Sequence, residues 1–230
     1  MLRLITDFDG PIMDVSERYY RVYLYCLEQV QEPGQALHVL TKSDFWQLKR
    51  AKVAEVEIGR RSGLVESQVQ RFADLRRQTV HTLPYLVHDL PHPGAVETLE
   101  YLQSLGVELV VMTMRRVCEL EEALERNHLG RFFAPQHRYC LSNDYVKTGD
   151  TKDKPLLMQR AIRELPPHDT VWMVGDTEAD ILAAQSADIP VIGVLSGIRN
   201  QEQLERYGPL RIMANLREAT EFILASVGSY

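Results

Sequence analysis

The chain has 230 residues, 45% hydrophobic and 25% charged, which leaves room for one large domain or for a core with a smaller insertion. Its net charge of −6 argues against nucleic acid or an anionic membrane surface as the main partner. The three cysteines, Cys26, Cys118 and Cys140, lie far apart and form no CxxC pair. They read as small core hydrophobes in a reducing, cytoplasmic setting rather than as a disulfide framework or a zinc site. No window reaches the roughly 20 apolar residues that a membrane span needs, and the opening apolar run is too short for a signal peptide.

That run, residues 2–6, predicts a buried strand ending at Asp7. Tyr19, Val22, Tyr23, Cys26, Leu27 and Val30 then recur at helical spacing, with Ser16 as the expected N-cap. Amphipathic stretches follow around 43–53 and 66–82, separated by a glycine-flanked basic loop, Gly59-Arg60-Arg61-Ser62-Gly63. No strand is expected between 14 and 90. Beyond Pro93-Gly94 the pattern alternates. Strands are expected at 107–112, 138–141, 170–174, 189–195 and, at an edge, 210–213. Helices are expected from 95 to 106 and at 117–127, 154–165, 177–187, 201–207 and 216–227. Such alternation predicts an α/β fold, a Rossmann-like parallel sheet with helices on both faces. The helical stretch does not fit the alternation and reads as an insertion. Residues 1–14 and 91–230 are therefore expected to form the core, and 15–90 an all-helical cap.

Ligands of open parallel sheets bind beyond the carboxyl ends of the strands. The residues standing there are Asp7-Phe8-Asp9-Gly10, Thr113-Met114-Arg115 and Gly175-Asp176-Thr177-Glu178-Ala179-Asp180, with Lys154-Pro155 at a helix start. Each has a bland reading: a turn, a polar strand end, a surface lysine or an N-cap. Together they place several acids, a hydroxyl and an ammonium around one crevice. Acids so crowded repel one another and call for a hard cation, Mg2+ by preference. A phosphate in the same crevice would be met by Lys154 and the Thr113 hydroxyl. Asp7 could attack phosphorus, and Asp9 could act as acid and base.

In these motifs the chain resembles the haloacid dehalogenase-like superfamily, in the branch similar to phosphoglycolate phosphatase and beta-phosphoglucomutase. The segment 91–99 resembles that branch's return from cap to core. The resemblance implies a magnesium-dependent phosphatase acting on a small phosphorylated metabolite through an aspartyl-phosphate. It implies Asp7 as nucleophile and metal ligand, and Asp9 as general acid and base that also binds metal through its carbonyl. Thr113 and the Met114 N–H would hold phosphoryl oxygens, Lys154 would neutralise them, Asp176 would bind metal, and Asp180 would support the metal or its waters. Gly10, Arg115, Arg60 and Arg61 are expected around the substrate. Lys152 and Lys147 stand close enough to compete with Lys154 for its role. Two residues depart from the pattern: Pro11, where relatives carry Thr or Val, and Met114, where they carry Asn. A mutase, a phosphonatase using a cap lysine (Lys42, Lys49 or Lys52) and a catalytically idle binding protein remain alternatives. Tyr19, Tyr20, Tyr23 and Tyr25 are expected to pack the cap, and His81, His88 and His92 take no role. The oligomeric state is expected to be monomer or homodimer.

Overall fold

The structure, a computed structural model, describes residues 2–227. The described residues fall into two compact units. One takes in the chain up to Asp14 and from Leu90 onward; the other is Val15–Asp89.

The first unit is built on a six-stranded, all-parallel sheet. Its strands are β1 (Leu2–Thr6), β4 (Glu108–Arg116), β5 (Arg138–Leu141), β6 (Thr170–Gly175), β7 (Val191–Val194) and β8 (Arg211–Met213), in the order β5-β4-β1-β6-β7-β8. Every residue of β1 is buried, as expected for a strand paired on both sides and covered on both faces. Arg3 interrupts its apolar run. It lies opposite Glu108 in the ladder and forms an ion pair with it. From β1 the chain builds outward through β4 and β5 on one side, then crosses and builds through β6, β7 and β8 on the other. The strand order therefore reverses at β1, and the crevice beyond its carboxyl end is where such sheets bind ligands. Thr6 pairs with both Val111 and Val174, so Asp7 emerges level with its neighbours.

Several details depart from the expectations. The strand after Gly106 does not stop at 112 but runs to Arg116, with a shift in its pairing with β5 between Met112 and Arg116. Thr113, Met114 and Arg115 thus lie within an irregular strand, a local geometry that re-aims side chains. The helix carrying Lys154, α8 (Asp150–Glu164), starts four residues early, so Lys154 lies in its second turn rather than opening it. Two-residue strands β2 (Met13–Asp14) and β3 (Leu90–Pro91) pair antiparallel, where no strand was expected. A ladder that short carries no periodicity to read. Cys26 and Cys140 are buried, but Cys118 is exposed and not a core residue.

The second unit is helical: α1 (Ser16–Val30), α2 (Lys42–Arg50), α3 (Glu55–Arg61), α4 (Glu66–Thr79) and α5 (Leu83–Leu86). The cap position of α1 is held by Val15, and Ser16 is its first helical residue. Residues 59–61 of the expected loop are instead the last turn of α3, with Gly59 buried inside the helix, and only Ser62 and Gly63 form a turn after it. Its Gly-Arg-Arg-Ser-Gly composition suggested a loop, but packing overrides propensity. A side chain on Gly59 would press on Phe72, Leu64 and Val69. Of the four tyrosines, Tyr23 stacks on Phe45 at 4.7 Å between ring centroids and hydrogen-bonds the buried Ser62 at 2.8 Å. Tyr20 packs on Tyr23, Tyr19 on Trp46 and Tyr25 on Tyr85.

Fully buried Arg18, near the start of this unit, meets fully buried Asp89, its last residue, at 3.0 Å. Removing one member of a buried pair leaves the other's charge uncompensated. Arg18→Met is therefore expected to cost about 3–5 kcal/mol in urea unfolding. Arg18→Met combined with Asp89→Leu should cost less than Arg18→Met alone.

Candidate active site

Asp7 follows β1, and its N–H donates to the carbonyl of Val174, prolonging the strand pairing by one residue. Its carboxylate is buried. Oδ1 accepts from the N–H of Phe8 at 2.7 Å, and Oδ2 lies 2.9 Å from the ammonium of Lys154. That ammonium, itself buried, also lies 2.5 Å from Oδ1 of Asp180. Lys147 and Lys152 are exposed, whereas Lys154 is buried beside Asp7.

Asp176 follows β6 and Asp180 lies in the first turn of α9 (Glu178–Gln185). Oδ2 of Asp180 accepts from the N–H of Thr177 at 2.9 Å and from its hydroxyl at 2.7 Å, capping the helix. Asp7, Asp176 and Asp180 each offer a carboxylate oxygen within 4.8 Å of the others. Thr113 is buried on β4, where its hydroxyl accepts from the N–H of Arg115 at 3.2 Å. Met114 is half-buried and packs against the hydrophobic core. Gly10 has a φ of +93°, which favours glycine, and a Cβ there would fall on the Asp176 carboxyl group. Pro11 causes no conflict. The turn is closed by bonds from the N–H groups of Gly10 to Met13 and of Met13 to Phe8, neither of which needs a donor at position 11.

The haloacid dehalogenase-like hydrolase family model matches residues 3–188. The chain belongs to that family. Phosphoglycolate phosphatase 1 of Pseudomonas aeruginosa is 27% identical over 127 residues, 55% of this chain and 45% of that protein. The match thus spans about half the length of that curated relative. A Dickeya dadantii protein named "Probable phosphatase IndB" is 27% identical over 217 residues, 94% of this chain and 90% of its own. A haloacid dehalogenase-like hydrolase family protein from Streptococcus pneumoniae superposes with a TM-score of 0.68, covering 96% of this chain and 97% of that one at 18% identity, a likeness of fold.

The electrostatics of this haloacid dehalogenase-like site follow from crowding. Burial, then the neighbouring Asp180, raises the Asp7 carboxyl well above the ordinary carboxylate range, against the pull of Lys154. Burial and Asp180 likewise push Asp176 up to about 7. For Lys154, burial favours the neutral amine, but Asp180 and Asp7 outweigh it and raise the ammonium's pKa. Three buried acids share one lysine, so the cluster is short of positive charge. All its donors are carboxylate oxygens, which fits a hard divalent cation. Asp7 and Asp176 could hold such an ion. Asp180 belongs to the same cluster, though its Oδ1 is already paired with the Lys154 ammonium and its Oδ2 accepts from Thr177.

Asp9 is not part of that cluster. Its Oδ1 accepts from Nε and Nη2 of Arg115 at 2.9 and 2.7 Å. Arg115, expected on the substrate, is therefore engaged with a carboxylate of the protein. Arg60 pairs with Glu66 at 2.8 Å and lies 3.6 Å from Glu57, and Arg61 pairs with Glu57 at 3.0 Å. Both arginines lie in the helical unit rather than in the core unit that carries the acids.

Sequence reasoning missed the segment after β7. The N–H of Ile198 donates to Oδ2 of Asp176 at 2.7 Å, and the Ser196 hydroxyl donates to the Gly10 carbonyl at 2.8 Å. Gly197 packs so close that a Cβ there would fall on Asp176. The signal was available: Ser196-Gly197 stands at a strand end, where the same rule had flagged the other motifs.

A raised acid pKa in the folded state means that the stability it contributes is present below the unfolded value and lost as pH rises toward the folded one. For Asp176 the loss runs from about pH 4 to about 7. In metal-free protein, Asp176→Asn is thus expected to raise the midpoint of thermal unfolding at pH 8 by on the order of 5 °C. The gain should fade near pH 4 in a calorimetric series.

Proposed function

We propose that this chain is a phosphatase that transfers the phosphoryl group of a small phosphorylated metabolite to Asp7 and then to water. The observation that carries this reading is the Asp7 carboxylate at the reversal point of the sheet, buried, 2.9 Å from Lys154 and grouped with Asp176 and Asp180. An oxygen of Asp7 forms a bond to phosphorus while the bond to the ester oxygen breaks, and Asp9 gives that oxygen its proton. Water then bonds to phosphorus and passes a proton to Asp9, the Asp7–phosphorus bond breaks, and phosphate leaves. Lys154 holds Asp7 in place and offsets the charge of the phosphoryl oxygens. The Thr113 hydroxyl and the Met114 N–H serve as further phosphoryl donors.

We assign Mg2+ as the cofactor, held by Asp7, Asp176 and the main-chain carbonyl of Asp9, with Asp180 supporting from Lys154 and the helix cap. When bound it supplies the positive charge that one lysine leaves short. The Val15–Asp89 unit serves as a cap whose closure excludes water, and Arg60 and Arg61 are its candidates for contacting an anionic substrate. The phosphatase names of the relatives support the reaction class and make phosphoglycolate the first ester to test. A phosphonatase would need a lysine amine available to a carbonyl. Lys42 is engaged with Glu17 and Lys49 with Glu55, and Lys52 is not without a partner either, so nothing favours that reading. No helix among the described residues is long and apolar enough to cross a membrane, and the buried thiols of Cys26 and Cys140 suit a cytoplasmic enzyme.

Phosphate release from a panel of phosphorylated metabolites is expected to require Mg2+ and to stop with chelator. Asp7→Asn should lower turnover by at least three orders of magnitude. Activity that persists without Asp7 or without a divalent ion would refute the reading.

A further inference from the structure

We propose that Arg115 is a positioning residue that holds Oδ1 of Asp9 and so aims its other carboxyl oxygen, Oδ2, which carries the proton delivered to the leaving oxygen. The proposal rests on the reading of Asp9 as general acid given above.

Asp9 sits on a tight turn. Gly10 follows with positive φ, and the N–H groups of Gly10 and Met13 close the turn. The Asp9 side chain is 27% exposed, against 9% or less for Asp7 and Asp180. A carboxylate on a partly exposed turn samples several rotamers unless another group holds it. Arg115 is that group. Its guanidinium lies 5.1 Å from the centroid of the fully buried Phe8 ring, and its Nε and Nη2 both donate to the same oxygen, Oδ1 of Asp9. Charge-assisted bonds from a planar fork fix direction as well as distance. The arginine is itself anchored. It is 3% exposed, it lies where the pairing of β4 with β5 shifts, and its N–H bonds the Thr113 hydroxyl. Phe8 is the residue between the two acids and Thr113 the proposed phosphoryl contact, so the grip on Asp9 is built from the same strand ends that hold the phosphoryl site.

A group that only positions the acid matters in proportion to how much the leaving oxygen needs a proton. An alkyl phosphate leaves as a strongly basic alkoxide and needs it; p-nitrophenyl phosphate leaves as a stabilised phenolate and needs it little. A positioned general acid contributes roughly 10²- to 10⁴-fold, and misplacing it forfeits part of that.

The test compares turnover of 2-phosphoglycolate, or whichever alkyl ester the wild type accepts best, with that of p-nitrophenyl phosphate. Both are measured with Mg2+ on one preparation of each variant, so a partly misfolded fraction cancels in the ratio. Arg115→Ala should depress kcat for the alkyl ester at least tenfold more than kcat for the aryl ester. Arg115→Lys keeps the charge and the aliphatic stem but loses the fork; it should show the same change of ratio at smaller size, and it serves if the alanine variant does not fold. In an Asp9→Asn background the arginine substitution should leave the ratio where Asp9→Asn alone puts it. Equal losses on both esters, or the same change of ratio in the Asp9→Asn background, would overturn the proposal, because Arg115 would then act on folding or directly on substrate. A wild type that hydrolyses neither ester defeats the functional reading itself, and this proposal with it, before any Arg115 variant is compared.

Discussion

Lys154 stands between two buried carboxylates, 2.9 Å from Asp7 and 2.5 Å from Asp180, and the geometry of the site depends on that arrangement. Charges buried without a partner are expensive, and acids crowded together repel. One ammonium shared by two acids lowers the cost, but burial and the neighbouring Asp180 outweigh its pull, so the Asp7 and Asp176 carboxyls are both raised. The cluster is balanced only when further positive charge arrives. A site with that deficit is suited to a cation and, once the cation is in place, to a phosphoryl group beside Lys154.

The fold supplies this arrangement through strand order. Because β1 lies between β4 and β6, the residues at the ends of three adjacent strands converge, although Asp7 stands more than a hundred positions before both Thr113 and Asp176 in the chain. Helix α8 adds the lysine from its second turn, and the start of α9 adds Asp180 as a cap. Glycine is required where the chain closes on this cluster. At Gly10 and Gly197 a side chain would occupy the space of the Asp176 carboxylate. The two acids near β1 are treated differently. Asp7 is sunk among charged neighbours, while Asp9, two residues on, is turned toward a buried arginine. In the proposed reaction these two acids serve as nucleophile and proton carrier, roles that address opposite sides of the same phosphorus.

Much of the core was legible because its elements are long enough to show a period or an unbroken apolar run. The strand at 2–6, the helix at 117–127 and the last helix at 216–227 were each placed within a residue. The misplaced features were those in which local signals compete with packing. Composition at 59–63 suggested a loop, yet Gly59 is helical because Phe72, Leu64 and Val69 fill the space beside it. The helix expected from Lys154 begins at Asp150 and carries Pro155 inside. The ladder of Met13–Asp14 with Leu90–Pro91 joins segments far apart in sequence and is too short to announce itself.

The sequence alone determined which chemical groups stand at strand ends, since that follows from short-range patterns of apolar runs and the polar residues ending them. It thereby named Asp7, Asp9, Thr113, Lys154, Asp176 and Asp180 as one set, along with the family they resemble. Only the tertiary structure decided which partner each charge takes. It put Arg115 on Asp9, and it paired Arg60 and Arg61 with acids of their own unit. It also brought the Ile198 N–H to Asp176. Pairings of this kind depend on distances of a few ångströms between segments remote in the chain, and Coulomb energy and hydrogen bonding are set by those distances rather than by residue order.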